Sequence, residues 1–134
     1  MKAQESTQLS VFLGNHPGVV ADVCTALTDA HISIRAMTVL DTVDVGTMRM
    51  IVDDIELAKQ SLKGSGAAYV EVPVLMLEVV NRPGSFAVIA KTMANAGVNI
   101  EYVYATAGGG AATALAIFRV SDIDTALKLD YPDE

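Results

Sequence analysis

The sequence predicts an α+β chain built from two βαββαβ units in tandem, each an antiparallel sheet with its helices on one face. Three observations predict it. Asn15-His16-Pro17-Gly18 returns 66 positions later as Asn81-Arg82-Pro83-Gly84, each time between an apolar strand pattern and an amphipathic helix pattern. With that offset held, Val11, Leu13, Val20, Val23, Leu27, Ala30, Ile32 and Ile34 fall on Leu77, Val79, Phe86, Ile89, Met93, Ala96, Val98 and Ile100, apolar on apolar throughout. In both halves the hydrophobic period switches between 2 and 3.6 in the order strand, helix, strand, strand, helix. A repeat this long is a whole supersecondary unit copied once.

In the first copy, Leu9, Val11 and Leu13 alternate with Ser10 and Phe12 until Gly14-Asn15 breaks the strand. Pro17 suits the first helical turn, and Val20, Val23, Cys24 and Leu27 recur at helical spacing to about Ala30. His31 follows, where the second copy has Gly97, so a helix-ending residue at positive φ is expected. Ile32 to Met37 and Thr47 to Val52 read as two strands joined by a hairpin over residues 41–46. Asp53 or Asp54 begins a short helix closed by Gly64-Ser65-Gly66, and Ala68 to Val72 reads as the fourth strand.

The second copy repeats the order: strand Val74–Val80, helix Pro83–Ala96, strand Asn99–Thr106, a Gly-rich hairpin, strand Ala112–Val120 and helix Asp122–Leu129. The five residues after it are short, polar and contain Pro132, which removes a ladder donor. The expected units are therefore 1–72 and 73–134, the second without a clear last strand, its sheet shortened or completed by another segment. Met76, Val80, Val103, Leu115 and Ile117 fall on the outward alternation and are more apolar than a solvated face, which predicts a subunit or domain interface, and a homodimer is expected.

Composition narrows the function classes. At 51% hydrophobic and 19% charged residues the chain is not disordered, and no apolar run approaches the roughly 18 residues of a membrane span. The polar start Met1 to Ser6 carries no signal core, so a cytoplasmic location is expected, with no membrane partner. A net charge of −7 with nine scattered Lys and Arg residues supplies no basic stripe for nucleic acid. The single cysteine, Cys24, sits on the apolar helix stripe and reads as an inert thiol. No catalytic constellation, metal-ligand spacing or cofactor motif is visible, so no enzyme, metal or cofactor is expected. Gly108-Gly109-Gly110 lacks the following Lys-Ser/Thr of a phosphate loop and reads as a hairpin. Asp41, Asp44, Asp53 and Asp54 read as turn and cap residues.

Asn-x-Pro-Gly at each first strand-to-helix turn, with Ala96-Gly97-Val98-Asn99-Ile100 and Ala30-His31-Ile32-Ser33-Ile34 opening each second strand, resembles the ACT domain. That family consists of small ferredoxin-like regulatory modules that bind amino acids. The resemblance covers nearly the whole chain and implies a ligand held between ACT units by the first turn and the start of the second strand. Carried over residue by residue, the site is Asn15, His16, Gly18 and Ser33 in the first copy and Asn81, Arg82, Gly84 and Asn99 in the second. It implies a stand-alone sensor for an amino acid, acting on a metabolic enzyme. Leu13 and Val79 stand where serine-binding members often carry His, which argues against serine. The alternative is a ligand-free interaction module that regulates a separate enzyme, with Asn15 and Asn81 serving only as turn residues.

Overall fold

In a computed structural model, which describes residues 1–14, 17–41 and 46–133, the first strand begins six residues before its apolar alternation does. Strand β1 spans Ala3–Leu13 and is followed by α1 (Val19–Asp29), β2 (Ile34–Asp41), β3 (Gly46–Val52) and α2 (Ile55–Ser65). Then come β4 (Tyr69–Val80), α3 (Ser85–Asn95), β5 (Ile100–Thr106), β6 (Thr113–Val120) and α4 (Ile123–Lys128). The chain divides into two compact units, Thr7–Val72 and Met1–Ser6 with Pro73–Glu134. Both divisions fall inside strands, β1 and β4. The expected hairpin over residues 41–46 lies largely outside the described residues, as do Asp44, Asn15 and His16.

In the Thr7–Val72 unit the strand order is β2-β3-β1-β4. Leu9 pairs with Met50 and Leu13 with Gly46 in an antiparallel ladder, and Met37 pairs with Met50 on the other side of β3. The Phe12 N–H donates to the Ala68 carbonyl at 2.9 Å, placing the fourth strand beside the first. Leu9, Val11 and Leu13 meet Val23 and Leu27 of α1 and Ala58 and Leu62 of α2, so each element's apolar face enters one core. Cys24 packs against this core, half-buried and free.

In the other unit the order is β1-β4-β6-β5. Its fourth strand comes from the opposite end of the sequence: the residues up to Ser6 complete the sheet that the C-terminal segment cannot. The Met1 ammonium fixes that strand by donating to the Tyr131 carbonyl at 2.6 Å and to Asp133 Oδ1 at 2.7 Å. Tyr131, 1% exposed, donates its hydroxyl to the Ala126 carbonyl at 2.6 Å. The tail after α4 is thus a plug for the core of Leu75, Leu77, Ile89, Met93 and Phe118. Pro73 lies inside β4 next to the division, where its missing N–H leaves one ladder position without a donor.

Helix ends follow the local chemistry. His31 has φ 59° and Gly97 φ 76°, the same left-handed stop in both copies, as their alignment predicts. Asp54 and Asp122 cap α2 and α4 by accepting the backbone N–H three residues on, at 3.1 Å in each case. One expectation is corrected. Met76 and Ile117, assigned to an uncovered sheet face, are 3% and 0% exposed within the single chain, while Val103 at 42% remains open. Alternation tells which residues share a face, not whether the chain covers it.

Candidate functional site

The two Pro-Gly turns leave their helices open at the N-terminus. Helices α1 and α3 start behind Gly18 (φ 91°) and Gly84 (φ 92°), and no side chain among the described residues caps either start. In α3 the Ser85 N–H turns back to the Arg82 carbonyl at 3.4 Å, which leaves the N–H groups of Phe86 and Ala87 without a side-chain cap at the positive end of the helix dipole. Helices α2 and α4, by contrast, are closed by their own aspartates. A Cβ at Gly18 or Gly84 would meet no atom within 4 Å, so it is the positive φ, not crowding, that calls for glycine there. The two open starts differ in charge. The first turn of α1 contains Asp22, which repels an anion, whereas that of α3 contains no acid.

Asn81 is part of the turn's own framework. Its N–H donates to the Ala112 carbonyl and its Nδ2 to the Ala111 carbonyl, both at 2.9 Å, tying the turn to the β5–β6 connection. Arg82 is exposed beside it. The Met1 ammonium holds the Asp133 carboxyl below the usual carboxylate range, and the Arg82 charge adds to the effect.

Asn99 and Ser33 occupy matching clasps. The Asn99 N–H donates to Ser121 Oγ at 2.9 Å, and the Ser121 N–H returns a bond to the Asn99 carbonyl at 2.9 Å. In the first copy the Ser33 N–H donates to Asp53 Oδ1 at 3.0 Å, and the Asp53 N–H returns one at 3.1 Å. Each clasp precedes a register shift, between Ile100 and Tyr102 and between Ile34 and Ala36, so the duplication preserves even the bulge. These bonds use backbone groups of Asn99. Its side-chain amide is exposed and bonds to no described residue.

The turn and the clasp of one unit are not brought together. Val80, just before the turn, pairs with Thr113 at one end of β6, and Ile100, just after Asn99, pairs with Val120 at the other. β6 has 8 residues, so at about 3.3 Å per residue the two half-sites are roughly 23 Å apart. Gly18 and Ser33 are separated in the same way, because Leu13 pairs with Gly46 and Ile34 with Val52 at opposite ends of β3.

Three residues here escape a reading by motif. Asp53 and Ser121 hold the second strands in place, and aligning Asp53-Asp54 with Ser121-Asp122 would have found them. Ser85, the first residue of α3, is 2% exposed, and its Oγ is buried without a hydrogen-bond partner among the described residues. Among the described residues no three or more His, Cys, Asp and Glu side chains group as a metal site would require. No helix among them is long and apolar enough to cross a membrane.

The profile of the ACT domain pair matches residues 5–129. No curated protein matches significantly by sequence. Among solved structures the chain is similar to protein BT0572 from Bacteroides thetaiotaomicron, with 30% identity and a TM-score of 0.87, covering 96% of this chain and 92% of that one. It is also similar to the regulatory subunit of aspartate kinase from Thermus thermophilus, at 17% identity and a TM-score of 0.68, covering 96% and 93%. Aspartokinase α and β subunits follow at 16% identity and 0.64, covering 96% and 93%.

Proposed function

The chain belongs to the ACT domain pair family, whose profile it matches over residues 5–129, and on that premise we propose that it is a regulatory protein that binds an amino acid. Its work is binding, not catalysis. The observation that carries this reading is the open start of α3: an uncapped helix N-terminus behind Gly84, free of acidic residues in its first turn, with Arg82 beside it. Such a terminus suits a carboxylate, since unpaired N–H groups and the helix dipole act together. The exposed amide of Asn99 offers both a donor and an acceptor to the polar groups of the same kind of ligand.

The separation of turn and clasp along β6 gives the site its composite character. A ligand that meets both must lie between two ACT units. β5 is the edge strand of its unit, and an edge offers a row of unpaired N–H and C=O groups. A second copy running antiparallel along that edge carries its Asn99 toward the end of the sheet where the Asn81–Gly84 turn lies, and the relation is reciprocal. The working state in this reading is a homodimer in which each copy completes the other's site. Gly18 and Ser33 form the weaker, first-copy equivalent, because Asp22 and Asp53 surround it with negative charge. The likeness to regulatory subunits of aspartate kinase supports a partner enzyme as the output, reached through ligand-dependent dimer packing.

A thermal-shift panel of the twenty L-amino acids tests the proposal. A cognate amino acid at a hundred times its Kd adds about 2.7 kcal/mol to folding stability, roughly 8 to 11 °C for a domain of this size. If no amino acid moves the transition, the ligand-free interaction module replaces the sensor.

A further inference from the structure

Ser85 is out of place in a core stripe. With Ile89 and Met93 it forms the buried line of α3, at positions i, i+4 and i+8, yet it places a hydroxyl where the first copy has Val19. The Oγ is sealed from solvent and has no partner among the described residues. A buried hydroxyl left unpaired is costly, and native structures rarely keep one without a use. Its direction is informative. Every Cα–Cβ bond in a helix tilts toward the N-terminus, so at the first residue the hydroxyl projects past the helix end, onto the sheet side of the open start.

We infer that Ser85 is a ligand contact of the second copy, donating its hydroxyl proton to the α-carboxylate of the bound amino acid beside the Phe86 and Ala87 N–H groups in the first turn of α3. This rests on the amino-acid reading above and adds to it the residue that selects the carboxylate. The carboxylate reaches the Oγ when the 81–84 turn loosens. The tether that must give is the pair of bonds from Asn81 to Ala111 and Ala112. The first copy, with Val19 at the matching position and Asp22 in the first turn of α1, lacks the same acceptor seat.

The test is Ser85→Ala, studied by differential scanning calorimetry without ligand and by titration with the amino acid that gives the largest shift in the panel and with its carboxamide. Alanine removes one atom and is a strong helix former, so the variant folds. The expected pattern has three parts. The free variant melts about 3 °C higher, because an unpaired buried hydroxyl is gone. Affinity for the amino acid falls roughly tenfold or more, as for a lost bond to a charged group. The preference for the acid over its carboxamide narrows. A variant that melts higher but keeps its affinity overturns the contact and leaves the amino-acid reading intact. A variant that melts lower shows that the hydroxyl already has a partner, and also overturns it. If no amino acid shifts the unaltered chain, the reading on which the contact rests falls, and the contact with it.

Discussion

Asn81 and Asn99, which look alike in the sequence, should fail in different ways when each is replaced by alanine. The Asn99 amide bonds to no described residue, and only its backbone enters the clasp with Ser121. Asn99→Ala therefore leaves the free protein's melting temperature within about 2 °C, since surface changes away from such features stay within roughly 0.5 kcal/mol. Its cost is in binding. Loss of a partner to a charged ligand group amounts to about 1.5 to 3 kcal/mol, or roughly tenfold to a hundredfold in Kd. Asn81 differs because its Nδ2 donates to the Ala111 carbonyl at 2.9 Å. Asn81→Ala removes about 0.5 to 1.5 kcal/mol of stability even without ligand, on the order of 2 to 6 °C for a chain of this size. Calorimetric melting of the free variants, followed by isothermal titration with the amino acid found in the panel, separates the two effects. The reasoning is refuted if Asn99→Ala melts several degrees lower while binding normally, or if Asn81→Ala leaves the free protein unchanged.

Three further outcomes follow from the packing. Asp54→Ala removes the side chain that accepts the Leu57 N–H, at 3.1 Å, and should lower unfolding free energy by about 1 kcal/mol in urea titrations; no change would mean that the cap is idle. Phe118, 1% exposed in the core of its unit, should cost roughly 3 to 5 kcal/mol when replaced by alanine, and a loss below 1 kcal/mol would contradict the packing. The lowered pKa of Asp133, caused first by the Met1 ammonium, gives stability that is present above the unfolded value of about 3.9 and is lost as pH falls through the folded value. Melting temperature should therefore drop below about pH 4, less steeply in Asp133→Asn, and identical acid limbs would exclude that contact.

The repeat made most of the fold legible, because apolar periodicity and turn chemistry are local signals and both copies carried them. The duplication even aligned His31 with Gly97, and both adopt the same left-handed stop. The fourth strand of the second unit was not legible for the opposite reason. Lys2 to Ser6 contains almost nothing apolar, and its place is fixed by pairing with a segment far along the chain. Long-range pairing leaves no periodic trace. The burial of Met76 and Ile117 escaped for a related reason, since alternation assigns faces without saying what covers them. At the site, the open helix starts follow from Pro-Gly in place of Ser or Asp. That Asn81 and Asn99 lie at opposite ends of one sheet is a consequence of strand direction. Ser85 was invisible because serine at a helix start ordinarily reads as neutral, and only burial shows its hydroxyl to be unpaired.

The central claim is that the second copy holds an amino acid at its open helix start with help from Asn99, and residue-resolved NMR titration tests it most directly. Uniformly 15N-labelled protein is titrated with the panel's best amino acid, and backbone and side-chain amide shifts are followed. The largest changes are expected at the backbone amides of Asn81, Arg82 and Gly84 to Ala87 and at the Asn99 side chain, with smaller ones at Gly18 and Ser33. Shifts confined to other surfaces, with those amides unmoved at saturation, would contradict it.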